Sequence, residues 1–113
     1  MVKVSVIIPV FNQAQFLDEC VDSVLKQTMQ DFEIIVVDDG SCNEESVRIL
    51  DSFNKPKTII IRKKNGGLVS ARNAGIKVAT GKYILPLDCD DKIAPRFLEK
   101  CSDYLDANPQ CGI

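Results

Sequence analysis

Two repeating patterns of apolar and polar residues divide the 113-residue chain into predicted strands and helices. Short runs of consecutive apolar residues, many of them β-branched, are typical of strands covered on both faces. Longer segments place apolar residues at i, i+3, i+4 and i+7, which is the spacing of one buried helix face. These patterns predict strands at residues 2–9, 32–37 and 58–61 and within 81–91, and a helix after each of them.

The first two helices are predicted from apolar spacing and from capping residues. The first strand is expected to stop at Pro9, and Asn12 is expected to cap the helix that follows. Ser41 and Glu44 have capping-box spacing, which predicts a second helix starting at Ser41. The inner faces are predicted to carry Phe16, Leu17, Cys20, Val21, Val24 and Leu25 in the first helix, and Val47, Leu50 and Phe53 in the second.

The third helix is predicted over residues 68–80, with Gly81 ending it in the left-handed conformation. Gly75 in its interior costs about 1 kcal/mol relative to alanine, which indicates close packing or the approach of a ligand. Pro95 suits the first turn of a fourth helix, which Asn108 and Pro109 are expected to end. Its inner face is predicted to carry Phe97, Leu98, Cys101 and Leu105.

The alternation of strands and helices predicts an α/β fold. We expect an open, mostly parallel, Rossmann-like sheet with right-handed crossovers and helices on both faces. The length predicts a single domain over residues 1–113. Such sheets bind ligands outside the carboxyl ends of their strands, where the winding reverses.

Composition and charge narrow the classes of partner. The net charge is −2, so no basic surplus is present to bind nucleic acid or an anionic membrane. No apolar segment approaches the roughly 20 residues of a membrane span, and the first eleven residues lack a signal-peptide pattern, so we expect a cytoplasmic protein. The five cysteines include no C-x-x-C pair, which favours reduced thiols over a disulfide framework or a zinc site.

Three carboxylates, those of Asp88, Asp90 and Asp91, follow the fourth predicted strand. Burying them unpaired would cost several kcal/mol each, so they are expected where the strand emerges. If the strand stays extended, Asp88 and Asp90 point to one side and Asp91 to the other. Oxygen ligands of this kind suit Mg²⁺ or Mn²⁺, and the alternative is a solvated acidic turn. A catalytic role for Cys89 is disfavoured, because the chain has no histidine to activate the thiol.

Polar residues also follow the other predicted strands: Asn12 the first, Asp38 and Asp39 the second, and a basic group from Arg62 the third. Because these positions share one edge of a parallel sheet, they predict a binding site there. Asp38 or Asp39 could accept hydrogen bonds from a base or ribose, or could instead belong to a tight capped turn.

A second group of residues would face the acidic edge across this predicted site. A phosphate-bearing ligand with polar groups would fit between the acidic edge and these residues, which are Asn65, Gly66, Gly67 and Arg72. The alternative for Arg72 is a solvated helix residue.

Three segments of the chain carry a family resemblance: VSVIIPVFN, FEIIVVDDGS and NGGLVSARNAGIKVATGKYILPLDCDD. Together they resemble the nucleotide-sugar-binding amino-terminal half of family 2 glycosyltransferases of the GT-A fold. The likeness covers essentially the whole chain in order and spacing. It implies an inverting transfer of a sugar from a nucleoside-diphosphate sugar, with UDP expected, to an acceptor hydroxyl. Cell-wall or polysaccharide biosynthesis is the expected setting.

The resemblance also implies roles for individual residues. The residues expected to bind the donor are Pro9, Phe11, Asn12, Asp38, Asp39, Asn65, Gly67, Arg72 and Asp88. Asp90, together with Asp88, is expected to bind Mn²⁺ or Mg²⁺, and Asp91 lies next to this pair. The general base and the acceptor pocket are expected beyond Ile113, and residues 110–113 resemble the start of a further strand. We therefore expect a truncated, inactive donor-binding part, at the cytoplasmic face of a membrane in the full-length protein.

Three other classes of protein share parts of this pattern. A receiver domain would carry an acidic pair after its first strand, where this chain has Val10, Phe11 and Asn12. A sugar nucleotidyltransferase would carry a glycine-rich arginine motif near its amino terminus, which this chain lacks. A nucleotide-binding or partner-binding module without catalytic activity stays open on the sequence alone.

Overall fold

Strands and helices alternate along residues 2–108, the part of the chain that this computed structural model describes. The strands are β1 (Val4–Val10), β2 (Phe32–Asp38), β3 (Thr58–Arg62) and β4 (Tyr83–Pro86). The helices are α1 (Leu17–Leu25), α2 (Glu44–Ser52), α3 (Leu68–Val78) and α4 (Phe97–Ala107), and a 3₁₀ turn, Ala14–Phe16, precedes α1. Within residues 2–108, no helix is both long and apolar enough to cross a bilayer.

The four strands form one parallel sheet in the order β3-β2-β1-β4. Val4 of β1 is in register with Phe32 of β2 on one side and with Tyr83 of β4 on the other. The chain thus winds outward from β1 to β3 and then returns to the opposite side of β1. This reversal places the switch point between β1 and β4, and the predicted α/β architecture is confirmed.

The helices cover both faces of the sheet. On one face, Leu17 of α1, Leu50 of α2 and Leu98 of α4 belong to the larger core, together with alternate residues of β1 and β2. On the other face, Ala71 of α3 belongs to a second core that contains Ile7. Since successive strand residues point to opposite faces, the apolar residues of β1 and β2 supply both cores.

The fourth strand is less buried than predicted, so that prediction is wrong. Tyr83, Ile84 and Leu85 are only partly buried, and Pro86 is exposed, whereas every residue of β1 is buried. β4 forms one edge of the described sheet, so its outer side has no neighbouring strand there. An apolar run alone therefore did not distinguish an edge strand from a central one.

The predicted start of the first helix is also wrong. β1 continues past Pro9 to Val10, and Asn12 has a φ of 56°, a left-handed conformation that asparagine tolerates. Asn12 does not cap α1. Its side-chain oxygen instead accepts the N–H groups of Cys42 and Asn43 at 2.8 and 2.9 Å.

The second helix begins later than the capping-box spacing predicted. Asn43 is the N-cap residue, and its Oδ1 accepts the N–H of Ser46 at 2.8 Å. The N–H of Ser41 instead donates to Asp38 Oδ1 at 2.9 Å. This bond holds Ser41 in the turn after β2, outside α2.

Two details of the later helices differ from the prediction. α3 ends at Val78, and Gly81 is not left-handed; a Cβ on Gly81 would lie only 2.6 Å from the backbone nitrogen of Ser5. On α4, Cys101 is exposed and Ser102 is buried in its place. Pro109, Cys111 and the strand expected from residue 110 lie outside the described residues.

The end of α4 is attached to the amino-terminal edge of the sheet by Asp106. Its carboxylate pairs with Lys3 and accepts a hydrogen bond from the Tyr83 hydroxyl at 2.6 Å, and Lys82 lies 3.4 Å away. The hydrogen bonds from Lys3 and Tyr83 lower the pKa of Asp106 to about 2. These contacts connect α4 to residues at the beginning of β1 and β4.

Gly75 lies where α3 meets the sheet, as its position inside a helix predicted. A Cβ there would lie 2.6 Å from Ile7 Cγ2 and 3.2 Å from Val37 Cγ2. The missing side chain therefore allows α3 to approach β1 and β2 closely.

Replacing Gly75 by alanine is expected to lower the free energy of unfolding, because the added methyl group overlaps Ile7. The overlap should cost about 1–3 kcal/mol, and the higher helix propensity of alanine offsets about 1 kcal/mol of this. Urea denaturation measures the net loss. Asn73→Ala, an exposed change in α3, is the matched control and should not lower stability. If Gly75→Ala instead raised stability by the full helix-propensity gain of about 1 kcal/mol, the result would contradict the close packing.

Candidate functional site

A cleft of about 450 Å³ opens at the carboxyl-terminal edge of the sheet. Its lining residues are Pro9, Val10, Phe11, Gln13, Asp39, Asn65, Gly67, Leu68, Ala71, Asp88, Cys89 and Asp90. The loops after all four strands thus contribute to one cavity. Seven of the residues predicted to bind the donor or the metal meet here: Pro9, Phe11, Asp39, Asn65, Gly67, Asp88 and Asp90.

Asp39 is the buried acid of this cleft, with only 4% of the residue exposed. Its Oδ1 accepts the N–H of Gly66 and its Oδ2 the N–H of Gly67, both at 2.9 Å. Lys63 Nζ lies 2.9 Å from Oδ1. Burial by itself raises the pKa of Asp39, but the hydrogen bonds from Lys63, Gly66 and Gly67 outweigh it, and the pKa lies below its ordinary value.

The segment Asn65–Gly67 forms one wall of the cleft. Besides the two glycine N–H groups, the side chain of Asn65 donates to the backbone oxygen of Asp39 at 3.0 Å. Gly40 allows this approach, because a Cβ there would lie 2.6 Å from the Asn65 nitrogen, and its φ is 77°. The turn after β2 and the loop after β3 therefore hold each other in place.

The three acids after β4 lie together, and two of them, Asp88 and Asp90, line the cleft across from Asp39. One carboxylate oxygen from each of Asp88, Asp90 and Asp91 lies within 4.8 Å of the others. The prediction that Asp91 points away is wrong, because the Asp91 N–H bonds to the Asp88 carbonyl at 3.0 Å and turns the chain. All three residues are exposed, which keeps their charges hydrated.

This acidic group suits a divalent cation. Two oxygens bound to one Mg²⁺ ion at about 2.1 Å can be about 4.2 Å apart at most. The 4.8 Å limit that contains the three carboxylate oxygens is close to that separation. Small rotations of exposed side chains would bring them into range.

Arg72 lies beside the acidic group and is not part of the cleft lining. Its Nη2 is 3.5 Å from Asp88 Oδ1, which makes it the counter-charge nearest to that carboxylate among the described residues. The Nε atom of Arg72 is buried and has no hydrogen-bond partner in residues 2–108.

Asn12 and Asp38, which were also predicted to bind the donor, do not line the cleft. Asn12 binds the start of the segment that leads into α2, and Asp38 binds the N–H of Ser41. Both side chains stabilise the turn after β2, so the capped-turn alternative describes Asp38. Their proposed contact with a nucleotide stays a prediction.

The cysteine next to the acids is buried, and its environment does not favour a thiolate. Burial, followed by the charges of Asp90 and Asp88, raises the pKa of the Cys89 thiol to about 11. Its sulfur lies 3.5 Å from Gln13 Oε1. Burial likewise raises the pKa of Cys20 to about 12, in agreement with the prediction that it fills the core.

Sequence reasoning missed Gln13 and Leu68 in the cleft lining and the contact of Lys63 with Asp39. The contact of Lys63 with Asp39 could have been predicted from the order of the strands. Asp38 and Arg62 are register partners in adjacent strands, so the next residue of each strand comes close to the other. This inference needs the β2–β3 pairing, which the apolar pattern did not specify.

The described fold is that of an α/β protein with a cleft at the carboxyl-terminal edge of its parallel sheet, the edge where such folds bind ligands. Comparison with known sequences gives the particular family. Residues 5–112 match Glycosyl transferase family 2, and the chain belongs to that family.

The chain is also similar in sequence to individual glycosyltransferases and synthases. The chain is 40% identical over 107 residues to the uncharacterized glycosyltransferase EpsJ of Bacillus subtilis (strain 168), covering 93% of this chain and 31% of EpsJ. It is 40% identical over 100 residues to chondroitin synthase of Pasteurella multocida (strain Pm70), covering 87% of this chain and 10% of the synthase.

Among solved structures, S. aureus TarS 1-349 in complex with UDP-GlcNAc superposes with a TM-score of 0.81 at 31% identity. The match covers 95% of this chain and 32% of the TarS chain. The chain therefore spans between 10% and 32% of the length of these three relatives.

The lowered pKa of Asp39 predicts how stability depends on pH. Asp39 contributes stability above the ordinary pKa of 3.8, and this contribution is lost as the pH falls through the lower folded value. Asp39→Asn should reduce the loss of stability between neutral pH and acid, as measured by urea denaturation at a series of pH values. Asp103→Asn, which removes one exposed acid from α4 outside the cleft, is the charge-matched control. The same acid sensitivity in Asp39→Asn and the unsubstituted protein would contradict this prediction.

Proposed function

We propose that this chain forms the donor-binding part of an inverting glycosyltransferase and holds a nucleoside-diphosphate sugar, with UDP as the expected nucleotide. The observation that carries the proposal is the cleft that brings Asp39 and Asn65 opposite Asp88 and Asp90. The TarS structure, which contains UDP-GlcNAc, supports the same class of ligand by similarity.

The wall formed by Asp39 and Asn65 would hold the nucleoside. A carboxylate has about four acceptor positions, and three on Asp39 are occupied by Lys63, Gly66 and Gly67. The remaining position lies on Oδ2 and can accept one N–H or O–H from a ligand. Phe11, which is 45% exposed, offers an aromatic surface against which a base can lie.

The wall formed by Asp88 and Asp90 would hold the diphosphate through a divalent cation, Mn²⁺ or Mg²⁺. Their oxygens, with those of Asp91, are close enough to share one ion after small side-chain rotations. When bound, such an ion neutralises negative charge on phosphate oxygens. Arg72, beside Asp88, adds a second positive charge at this wall.

Sugar transfer would also need an acceptor site and a general base. We assign the base to none of the described cleft acids, because Asp39 is bonded to the loop and Asp88 and Asp90 are assigned to the cation. The chain's own role is therefore to bind and orient the donor. The resemblance to the family implies that the base and the acceptor site are supplied by residues other than the described ones.

Titration calorimetry with UDP, with and without Mn²⁺, tests the proposal. We expect Mn²⁺ to strengthen UDP binding by about tenfold or more, equivalent to about 1.4 kcal/mol. Asp90→Asn keeps the shape of the side chain but removes its charge, and should abolish this gain. Asp103→Asn removes one exposed charge from α4 and should retain the gain. A full Mn²⁺ effect in Asp90→Asn would refute the role of Asp90, and no UDP binding under any condition would refute the proposed function.

A further inference from the structure

The side chain of Lys63 contacts both Asp39 and the loop Asn65–Gly67, which forms one wall of the cleft. Its ammonium nitrogen lies 2.9 Å from Asp39 Oδ1 and 2.7 Å from the carbonyl oxygen of Lys64. The backbone N–H of Lys63 donates to the Asp38 carbonyl at 3.0 Å. Lys63 is therefore attached to β2 through its backbone and to the loop and Asp39 through its side chain.

Gly66 leaves the space that the ammonium group occupies. A Cβ on Gly66 would lie 2.9 Å from Lys63 Nζ and 2.8 Å from Ser70 Oγ. The lysine thus lies directly against the glycine whose N–H binds the same oxygen of Asp39. A side chain at Gly66 would displace the ammonium or the serine hydroxyl.

Charge compensation at Asp39 depends on this lysine. Among the described residues, Lys63 is the cation that lies within 4.0 Å of the Asp39 carboxylate. The neighbouring Arg62 pairs with Asp51 instead, at 2.6 Å. Removing one partner of a buried ion pair leaves an uncompensated charge, which is far more costly than losing an exposed pair.

We propose that Lys63 is a positioning residue of the donor cleft. Its ammonium compensates the buried Asp39 carboxylate and so holds Asn65, Gly66 and Gly67 in the conformation that forms the cleft wall. The loop would then be ready for the nucleotide before it binds, which avoids the free-energy cost of ordering the loop during binding. This inference rests on the proposed function for its ligand, but its structural part can be tested without one.

The first measurement uses no ligand and follows the amide signals of Gly66 and Gly67 by NMR. Their chemical shifts report the titration of Asp39, because both N–H groups bond its carboxylate. Lys63→Met should raise the titration midpoint by about one to two pH units. It should also speed hydrogen exchange of these two amides by about tenfold, since the loop opens more often.

The second measurement is UDP binding by calorimetry at constant ionic strength. Lys63→Met should weaken UDP by about tenfold. Lys63→Arg keeps the charge and should restore both the titration midpoint and the affinity to within about twofold. Lys64→Met removes the same charge from the exposed neighbouring position and should change neither the midpoint nor the amide exchange.

Each outcome decides a defined part of the inference. An unchanged midpoint and unchanged amide exchange in Lys63→Met would overturn it, whatever UDP does. A loosened loop with unchanged UDP affinity would overturn the positioning role. If the unsubstituted protein binds no UDP, the proposed function fails, whereas the amides of Gly66 and Gly67 still decide whether Lys63 holds the loop.

Discussion

Backbone hydrogen bonding between parallel strands is the interaction on which the site depends. All four strands run in the same direction, so all four loops that follow them meet at one edge. The acids on the two walls do not attract one another, because Asp39 and Asp90 carry the same charge. Their approach is imposed by the strand pairing of β1 with β2 and with β4, and by the two apolar cores that hold the helices on the sheet.

The two walls differ in how their charge is balanced. On the Asp39 wall the charge is buried and is compensated within the protein by Lys63 and two backbone N–H groups. On the opposite wall Asp88 and Asp90 are exposed, with Asp91 next to them, and Arg72 lies 3.5 Å from Asp88. The charge of the Asp39 wall is thus balanced without a ligand. The other keeps an excess of negative charge, the condition under which a cation is attracted.

The architecture could be predicted from sequence because burial leaves a local pattern. Apolar runs identified β1 and β2 as strands, with cover on both faces of β2, and helical spacing placed Leu17 and Leu50 in the core, as observed. Polar residues directly after the strands indicated the edge where the cleft lies. This works because the order of elements and the parallel direction together bring the strand ends to one place.

The remaining details could not be predicted, because they depend on partners far away in sequence. Asn12 is a good helix cap in isolation, but residues 42 and 43 take its side-chain oxygen. Gly81 resembles a helix terminator, but its lack of a side chain is required by the backbone of Ser5. The contact of Lys63 with Asp39 likewise depends on which strands are adjacent. Such contacts follow from strand order and register, which residue type does not encode.

The Asp106 cluster has a practical consequence for altering this protein. It connects α4 to the amino-terminal edge of the sheet, whereas the cleft lies at the other end of strands up to seven residues long. That separation is about 20 Å, more than twice the distance over which salt screens exposed charges. Cleft loops could therefore be diversified in a directed-evolution library without weakening this anchor.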